Sequence, residues 1–359
     1  MAIDQNALSD ILYKPANVLY KSLQVLHIVR RMNNLNCFNR EKIDRRIMRY
    51  FEKNYKIVYK LMLDKTEMMY LGNELNKVCR FCGKTEKNGT TFNKIAHALP
   101  ECIGNKCLAS YYECDKCNER FGATIETEYA NFMNLYHTIS RIHGKKKIPK
   151  CEYKNQSKIV PKGNQLAIVE KIDGIHTEID KKAHCLNYTF TAPTHIPVAV
   201  FKCFVKMALT IMPEEELKNF KETIEWVRNS KHENIYAPHK LLCRYVMIPG
   251  IKPVKAPIVL LFKRINTDTS KKNPYMIFNL TYGNFSYLID IPTKNFTNKS
   301  IEKIPFPFPK TKTSSEGIID FSSNVKKSDF VQKISFHYDE MKEIDLNENK
   351  DMLEDIIRR

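Results

Sequence analysis

The chain has 359 residues, and its 58 Lys and Arg against 40 Asp and Glu give a formal net charge of +18. This length exceeds one typical domain of about 100–200 residues, so we expect at least two domains. The charge favours a polyanion such as nucleic acid as the partner. No segment has the roughly 20 consecutive apolar residues of a membrane-spanning helix, and the first residues do not resemble a secretory signal. We therefore expect a cytoplasmic protein that makes no membrane contact.

The N-terminal part is predicted to be helical over residues 1–75. Apolar residues recur at helical spacing over 39–63, with basic residues largely between them, and this periodicity predicts an amphipathic helix. A second helix is predicted over 18–29. Arg45 and Arg49 are candidates for contact with nucleic-acid phosphates, and the alternative is an ordinary solvated face.

Two Cys-x-x-Cys pairs stand out among the 11 cysteines, and they are formed by Cys79, Cys82, Cys114 and Cys117. This spacing favours metal binding over disulfides in a chain without a secretory signal. Four thiolates surround Zn²⁺ as a tetrahedron and leave no open position for water, so the ion would be structural. The alternative is four thiols without metal. Cys102 and Cys107 lie between the pairs, and we expect them to be buried thiols outside the zinc shell.

The segment between and after the cysteine pairs carries a recognisable pattern. It contains Ala-His97-Ala-Leu-Pro-Glu, then Gly-Asn105, and the second pair continues directly into Asn118. This pattern resembles the HNH (ββα-metal) endonuclease family over residues 76–135. The resemblance implies that two short strands carry the histidine, that a loop carries the middle asparagine, and that a helix begins near the second cysteine pair.

The resemblance also implies roles for these residues. His97 would be the general base that takes a proton from the attacking water, which suits a side chain that titrates near neutral pH. Asn118 would be a ligand of a catalytic cation, with Mg²⁺ or Mn²⁺ as the expected ion. Asn105 would position the loop that carries the histidine.

One departure from the family pattern concerns the ligands of the catalytic cation. Many members have an acid immediately before the histidine, whereas this chain has Ala96. We predict that Glu126 replaces it, because eight residues after Asn118 correspond to about two helical turns and hence to the same helix face. Glu101 and Asp115 are weaker candidates.

Residues 136–164 are strongly basic and are predicted to form a linker or an arm that follows a nucleic-acid backbone. The candidate contact residues there are Arg141, Lys145, Lys146 and Lys147.

Residues 165–335 are predicted to form a domain of unknown role, and residues 336–359 an acidic tail. Strands are predicted at 165–172, 188–191, 245–248, 258–262, 275–282 and 285–289, and helices at 197–212 and 213–229. The aromatic residues of this domain are expected in its core, and Lys202, Lys206, Lys263 and Arg264 on its surface. The fold class predicted for the whole chain is α+β.

These features predict a metal-dependent endonuclease that hydrolyses phosphodiester bonds of DNA, with RNA not excluded. Relatives of this HNH branch occur in defence systems and mobile elements, so the resemblance suggests antiphage defence. Two alternatives remain at this point: a zinc-stabilised module that only binds nucleic acid, and an inactive HNH scaffold that serves a partner. The sequence also leaves open a homo-oligomer or an activating partner.

Overall fold

The computed structural model describes residues 2–3, 45–64, 66–152, 158–162, 165–169, 176–180, 182–183, 185–191, 193–248, 254–266, 272–295, 299–307, 314–327 and 331–337, and every structural statement below concerns these residues. The predicted helix at 18–29 and the acidic residues 338–359 lie outside them.

Helices and strands are mixed along the chain, which confirms the α+β class. The helices are α1 (Arg45–Asn54), α2 (Asp115–Ala123), α3 (Ile125–Ile139), α4 (Pro197–Ile211), α5 (Glu214–Leu217) and α6 (Lys221–Arg228). The strands are β1 (Ala2–Ile3), β2 (Tyr55–Met62), β3 (Met69–Leu71), β4 (Leu108–Ser110), β5 (Cys151–Glu152), β6 (Lys158–Lys162), β7 (Gln165–Val169), β8 (His176–Asp180), β9 (Cys185–Thr191), β10 (Leu242–Met247), β11 (Val254–Arg264), β12 (Met276–Gly283), β13 (Phe285–Asp290), β14 (Ser315–Asp320) and β15 (Val331–His337).

A six-stranded antiparallel sheet is the largest element of the fold. Its strand order is β14-β10-β13-β12-β11-β2. Side chains alternate between its two faces, as a period of two requires. Phe278 packs in the same apolar cluster as helices α3 and α4, whereas its neighbour Ile277 packs in a second cluster together with Phe51 of α1. Helix α1 therefore covers the sheet face opposite to α3 and α4.

Three smaller sheets complete the described strands. Strands β1-β7-β6-β5 form a four-stranded sheet, and β15-β9-β8 form a three-stranded sheet. Strands β3 and β4 form a parallel pair beside the cysteine pairs. No helix in the described part of the chain combines the length and the apolar character needed to span a bilayer.

The helix predicted over 39–63 is wrong beyond Asn54. Residues Tyr55–Met62 form β2, which pairs antiparallel with β11 and is an edge strand of the large sheet. The apolar spacing of this short segment suits either structure, and the backbone hydrogen bonds offered by β11 decide in favour of the strand. The other strands of the C-terminal half and α4 lie close to their predicted positions, while the helix predicted over 213–229 is divided into α5, a 3₁₀ turn and α6. The division into domains stays a prediction.

Helix α4 is buried along its whole length. Pro197 occupies its first turn, where a missing N–H costs nothing, and apolar side chains cover nearly all of its circumference. A helix that is apolar all round belongs in a protein interior. The prediction that Lys202 and Lys206 are surface charges is therefore wrong, because both lie on α4 and are 0% exposed.

Candidate functional site: a zinc-binding module with a half-buried histidine

Four cysteine sulfur atoms converge beside α2. They belong to Cys79, Cys82, Cys114 and Cys117, and all lie within 4.8 Å of one another. Sγ of Cys82 is 3.7 Å from Sγ of Cys114, whereas two thiolates on a tetrahedral Zn²⁺ at about 2.3 Å are separated by about 3.8 Å. The four residues therefore fit the predicted structural zinc ion. Cys102 and Cys107 lie outside the cluster, as expected.

The first cysteine pair has the backbone of a tight knuckle. The amide of Gly83 donates to the carbonyl oxygen of Cys79 at 2.7 Å. Gly83 has a φ of 70°, a left-handed conformation that glycine adopts without the steric cost of a Cβ atom. The turn brings the sulfur of Cys82 back towards that of Cys79.

His97 is positioned by strand pairing with β4. It forms an antiparallel bridge with Ala109, and the flanking amides of Ala98 and Ser110 donate to the carbonyl oxygens of Leu108 and Ala96 at 3.1 and 2.8 Å. The side chain is half-buried, and burial lowers the pKa of its imidazole below the ordinary value of 6.5. His97 is thus held in its neutral form at pH 7, which can accept a proton.

Asn105 is fully buried and organises the loop between His97 and β4. Its amide nitrogen donates to the carbonyl oxygens of Leu99 and Leu108 at 2.8 and 2.9 Å. Its amide oxygen accepts from the backbone of Cys107 at 3.2 Å and of Leu108 at 2.9 Å. Within the described part of the chain, all side-chain hydrogen bonds of Asn105 go to backbone groups.

A cluster of charges lies beside His97. The ammonium nitrogen of Lys206 is 3.0 Å from Oε2 of Glu113 and 3.0 Å from Oε1 of Glu126, and it donates to the backbone oxygen of His97 at 3.3 Å. Burial raises the pKa of Glu113 to about 7. Burial by itself would lower the pKa of Lys206, but the two carboxylates reverse the effect and raise it, so this lysine stays charged.

Glu126 and the backbone oxygen of His97 contact the same ammonium, that of Lys206, but Glu126 reaches this position by a route different from the one expected. Asn118 lies on α2, but α2 ends at Ala123 and a break at Thr124 separates it from α3, which carries Glu126. The argument from two turns of one continuous helix was therefore wrong. Asn118 is half-buried, and its side chain makes no hydrogen bond within the described part of the chain, so its amide is open to a ligand.

The two weaker candidates have other contacts. Asp115 accepts hydrogen bonds from Thr91, Asn93 and Lys94 at 2.6–3.0 Å and so fixes the segment that leads to the histidine. Glu101 begins a 3₁₀ turn and pairs with Lys106 at 3.7 Å.

Comparison with known proteins identifies this region. Residues 79–133 match the family described as HNH endonuclease. The matched segment, called the HNH segment below, contains both cysteine pairs, His97, Asn105, Asn118 and Glu126. Neither a curated protein nor a solved structure matches the chain. The match supports nuclease activity on nucleic acid.

The predicted basic contact residues lie in two places. Lys145, Lys146 and Lys147 are exposed, and their loop lies against the HNH segment, because Nζ of Lys106 donates to the carbonyl oxygen of Gly144 at 2.5 Å. Arg141, at the end of α3, is half-buried. Arg49 is exposed on α1, on the far side of the large sheet, and the side chain of Arg45 lies outside the described residues.

Sequence reasoning missed two residues of the charge cluster. Glu113 immediately precedes the second cysteine pair, and its side chain is 0% exposed. Its Oε1 atom has no hydrogen-bond partner among the described residues. Lys206 lies about a hundred residues further along the chain on α4. The sequence does contain a signal for Lys206, because it lies within a long apolar run. A lysine buried in such a run requires a buried partner of opposite charge.

Proposed function

We propose that this protein is a metal-dependent HNH endonuclease that hydrolyses phosphodiester bonds of DNA. The observation that carries the proposal is the half-buried His97 on the zinc-binding module, whose backbone oxygen binds the same ammonium as the carboxyl group of Glu126. A binding module has no need of a histidine held in this way. The family match to residues 79–133 supports the same reaction class.

The side chains divide the chemistry between them. His97 takes the proton from the water that attacks phosphorus, since a neutral imidazole is a base at pH 7. Asn118 and Glu126 offer amide and carboxylate oxygens, the donor atoms that Mg²⁺ and Mn²⁺ prefer. Such an ion, when bound, stabilises negative charge on the phosphate oxygens. Asn105 fixes the histidine loop, and the zinc ion has a structural role only.

DNA is the proposed substrate because the chain is strongly basic and exposed lysines flank the site. Lys145, Lys146 and Lys147 can contact backbone phosphates next to the scissile bond. Arg141 extends the same basic region, whereas Arg45 and Arg49 on α1 would grip DNA at a distance from the site. Contacts to phosphate carry no sequence information, so we expect cutting with little sequence preference.

The decisive experiment is nicking of a supercoiled plasmid by purified protein in Mg²⁺, Mn²⁺ and EDTA. We expect wild type to cut with either ion and to be inactive in EDTA. The His97→Ala variant should lose about 10²–10⁴-fold in rate, the usual contribution of a general base. His143 is an exposed histidine next to Gly144, whose carbonyl oxygen accepts from Lys106 of the HNH segment, and His143→Ala is the matched control that should keep activity.

The opposite result would favour one of the two alternatives. If zinc-loaded wild type retains DNA but cuts in no metal, the protein is a binding module or an inactive scaffold that serves a partner. If His97→Ala cuts as well as wild type, the assigned base is wrong. Competition between DNA and RNA of equal length decides the substrate.

The proposal extends to antiphage defence in the cytoplasm, which rests on the resemblance to the HNH branch alone. Cells that express wild type should reduce phage plating, and cells that express His97→Ala should not. Equal plating on both would reject the defence role and leave the nuclease assignment intact.

A further inference from the structure

Lys206 is a buried cation inside the HNH site, although it belongs to α4 and not to the HNH segment. Its side chain is 0% exposed. An ammonium group in a protein interior is strongly destabilising unless it is paired and hydrogen-bonded. Lys206 satisfies this requirement through contacts with the HNH segment, because its nitrogen lies within 3.3 Å of Glu113, Glu126 and the backbone oxygen of His97.

The cluster already holds one positive charge. The ammonium of Lys206 pairs with the carboxyl groups of both Glu113 and Glu126, and the position before His97, where an acid would add negative charge, is occupied by Ala96. Glu126 has a side chain that is 22% exposed, whereas that of Glu113 is 0% exposed. A cation that arrives from solvent therefore meets Glu126, and at that point it is repelled by the ammonium 3.0 Å from Oε1.

We infer that Lys206 is a positioning residue that holds Glu126 in the site and lowers the affinity of the site for a divalent cation until a nucleic-acid phosphate binds beside it. This inference rests on the proposed function for the role of Glu126. A divalent cation at Glu126 adds two positive charges next to the ammonium of Lys206, and the negative charge of a nucleic-acid phosphate offsets part of this repulsion. The cation and the nucleic acid therefore bind together, and the protein alone holds the cation weakly.

Lys202 provides the matched control. It lies one helical turn before Lys206 on α4 and is equally buried. Its ammonium donates to the carbonyl oxygens of Asn229 and Lys231 at 2.8 Å each, and neither belongs to the HNH segment. Lys202→Met therefore removes a buried ammonium from the same helix, and the hydrogen bonds lost with it do not involve the HNH segment.

The test measures Mn²⁺ binding to the full-length, zinc-loaded protein without nucleic acid, by the paramagnetic resonance signal of free Mn²⁺. Lys206→Met should bind Mn²⁺ about tenfold more tightly or better, because a like charge next to the ligand has been removed. Lys202→Met should match wild type. The double variant Lys206→Met with Glu126→Gln should lose the gain, which assigns the added affinity to Glu126.

A second arm tests the coupling to phosphate. In the non-cutting His97→Ala background, a short DNA oligonucleotide should tighten Mn²⁺ binding several-fold. The same oligonucleotide should tighten it much less when Lys206→Met is added, because the repulsion that the phosphate offsets is already absent. Equal tightening in both proteins would overturn the coupling.

Loss of the ammonium leaves Glu113 without a counter-charge, and Lys206→Met alone could therefore fail to fold. A second variant avoids this problem. Lys206→Met with Glu113→Gln removes the buried carboxylate charge together with its partner and leaves Glu126 free. Melting temperature and zinc content verify that each variant is folded. Equal Mn²⁺ affinity in wild type and in a folded lysine variant would overturn the inference.

These outcomes are separable from the fate of the proposed function. A wild type that never cuts DNA, together with the expected shifts in Mn²⁺ affinity, would reject the nuclease assignment and keep the role of Lys206. If wild type cuts DNA and all folded variants bind Mn²⁺ with equal affinity, the nuclease assignment is kept and the role of Lys206 is rejected.

Discussion

Nη1 of Arg80 lies 2.9 Å from the carbonyl oxygen of Met212. The same atom donates to the carbonyl oxygens of Leu209 and Thr210 at 2.7 and 2.9 Å. The last carbonyl groups of a helix have no partner within the helix, and Arg80 supplies one at the end of α4. Because Arg80 lies between the cysteines of the first pair, it ties the zinc module to the helix that carries Lys206.

We predict that Arg80→Lys destabilises the protein by about 1–3 kcal/mol, because lysine lacks the planar guanidinium that reaches several acceptors at once. The guanidinium also stacks 3.7 Å from the ring centroid of Tyr112. Urea denaturation measures the change in the free energy of unfolding. Arg120→Lys is the control, since Arg120 is exposed and makes one long bond of 3.4 Å, and it should change stability by less than about 0.5 kcal/mol. Equal effects of both changes would contradict the anchoring role of Arg80.

Removal of zinc should unfold the cysteine knuckles and lower the melting temperature, because the free energy of zinc binding contributes directly to folding in such sites. Metal analysis should find one Zn²⁺ per chain in wild type and a marked loss in Cys82→Ser. Cys243 is a buried cysteine outside the cluster, and Cys243→Ser should keep the full zinc content. Full zinc occupancy in Cys82→Ser would show that the ion is not held by the four cysteines.

Asn105→Asp should impair both the stability of the protein and the rate of cutting. A carboxylate can still accept from the amides of Cys107 and Leu108, but it cannot donate to the carbonyl oxygens of Leu99 and Leu108. Buried groups left without partners cost about 1–3 kcal/mol each. Thermal melting and single-turnover nicking measure the two effects. Asn93→Asp, at an exposed position, is the control, and a melting temperature equal for both variants would contradict the role of Asn105.

The pH dependence of cutting should follow His97. Burial lowers its pKa below 6.5, so the neutral imidazole is present above that pKa and protonation removes the base below it. The single-turnover rate should therefore be nearly constant between pH 7 and 8 and should fall as the pH decreases below 6.5. The concentration of Mg²⁺ or Mn²⁺ must be saturating at every pH. A tenfold change of rate between pH 8 and 7 would assign the limiting proton transfer to a different group.

The sequence determined the parts of this protein whose chemistry depends on short spacing. Two Cys-x-x-Cys pairs specify a four-thiolate cluster because each pair needs only one turn of the backbone to bring its two sulfur atoms together, and the residue pattern around His97 is sufficient to indicate the HNH segment. Runs of β-branched and aromatic residues separated by turn residues likewise predicted strands close to β10–β13, because such side chains pack well on the pleated surface of a sheet.

Only the tertiary structure decided what depends on partners distant in the chain. Tyr55–Met62 forms a strand because β11, about two hundred residues later, offers it backbone hydrogen bonds. Lys206 was expected on the surface and is instead buried, because Glu113 and Glu126 of the HNH segment neutralise it. Periodicity reports which side chains prefer burial, but it does not report which carboxylate will face a given ammonium. The charge beside His97 is therefore set by packing between distant segments.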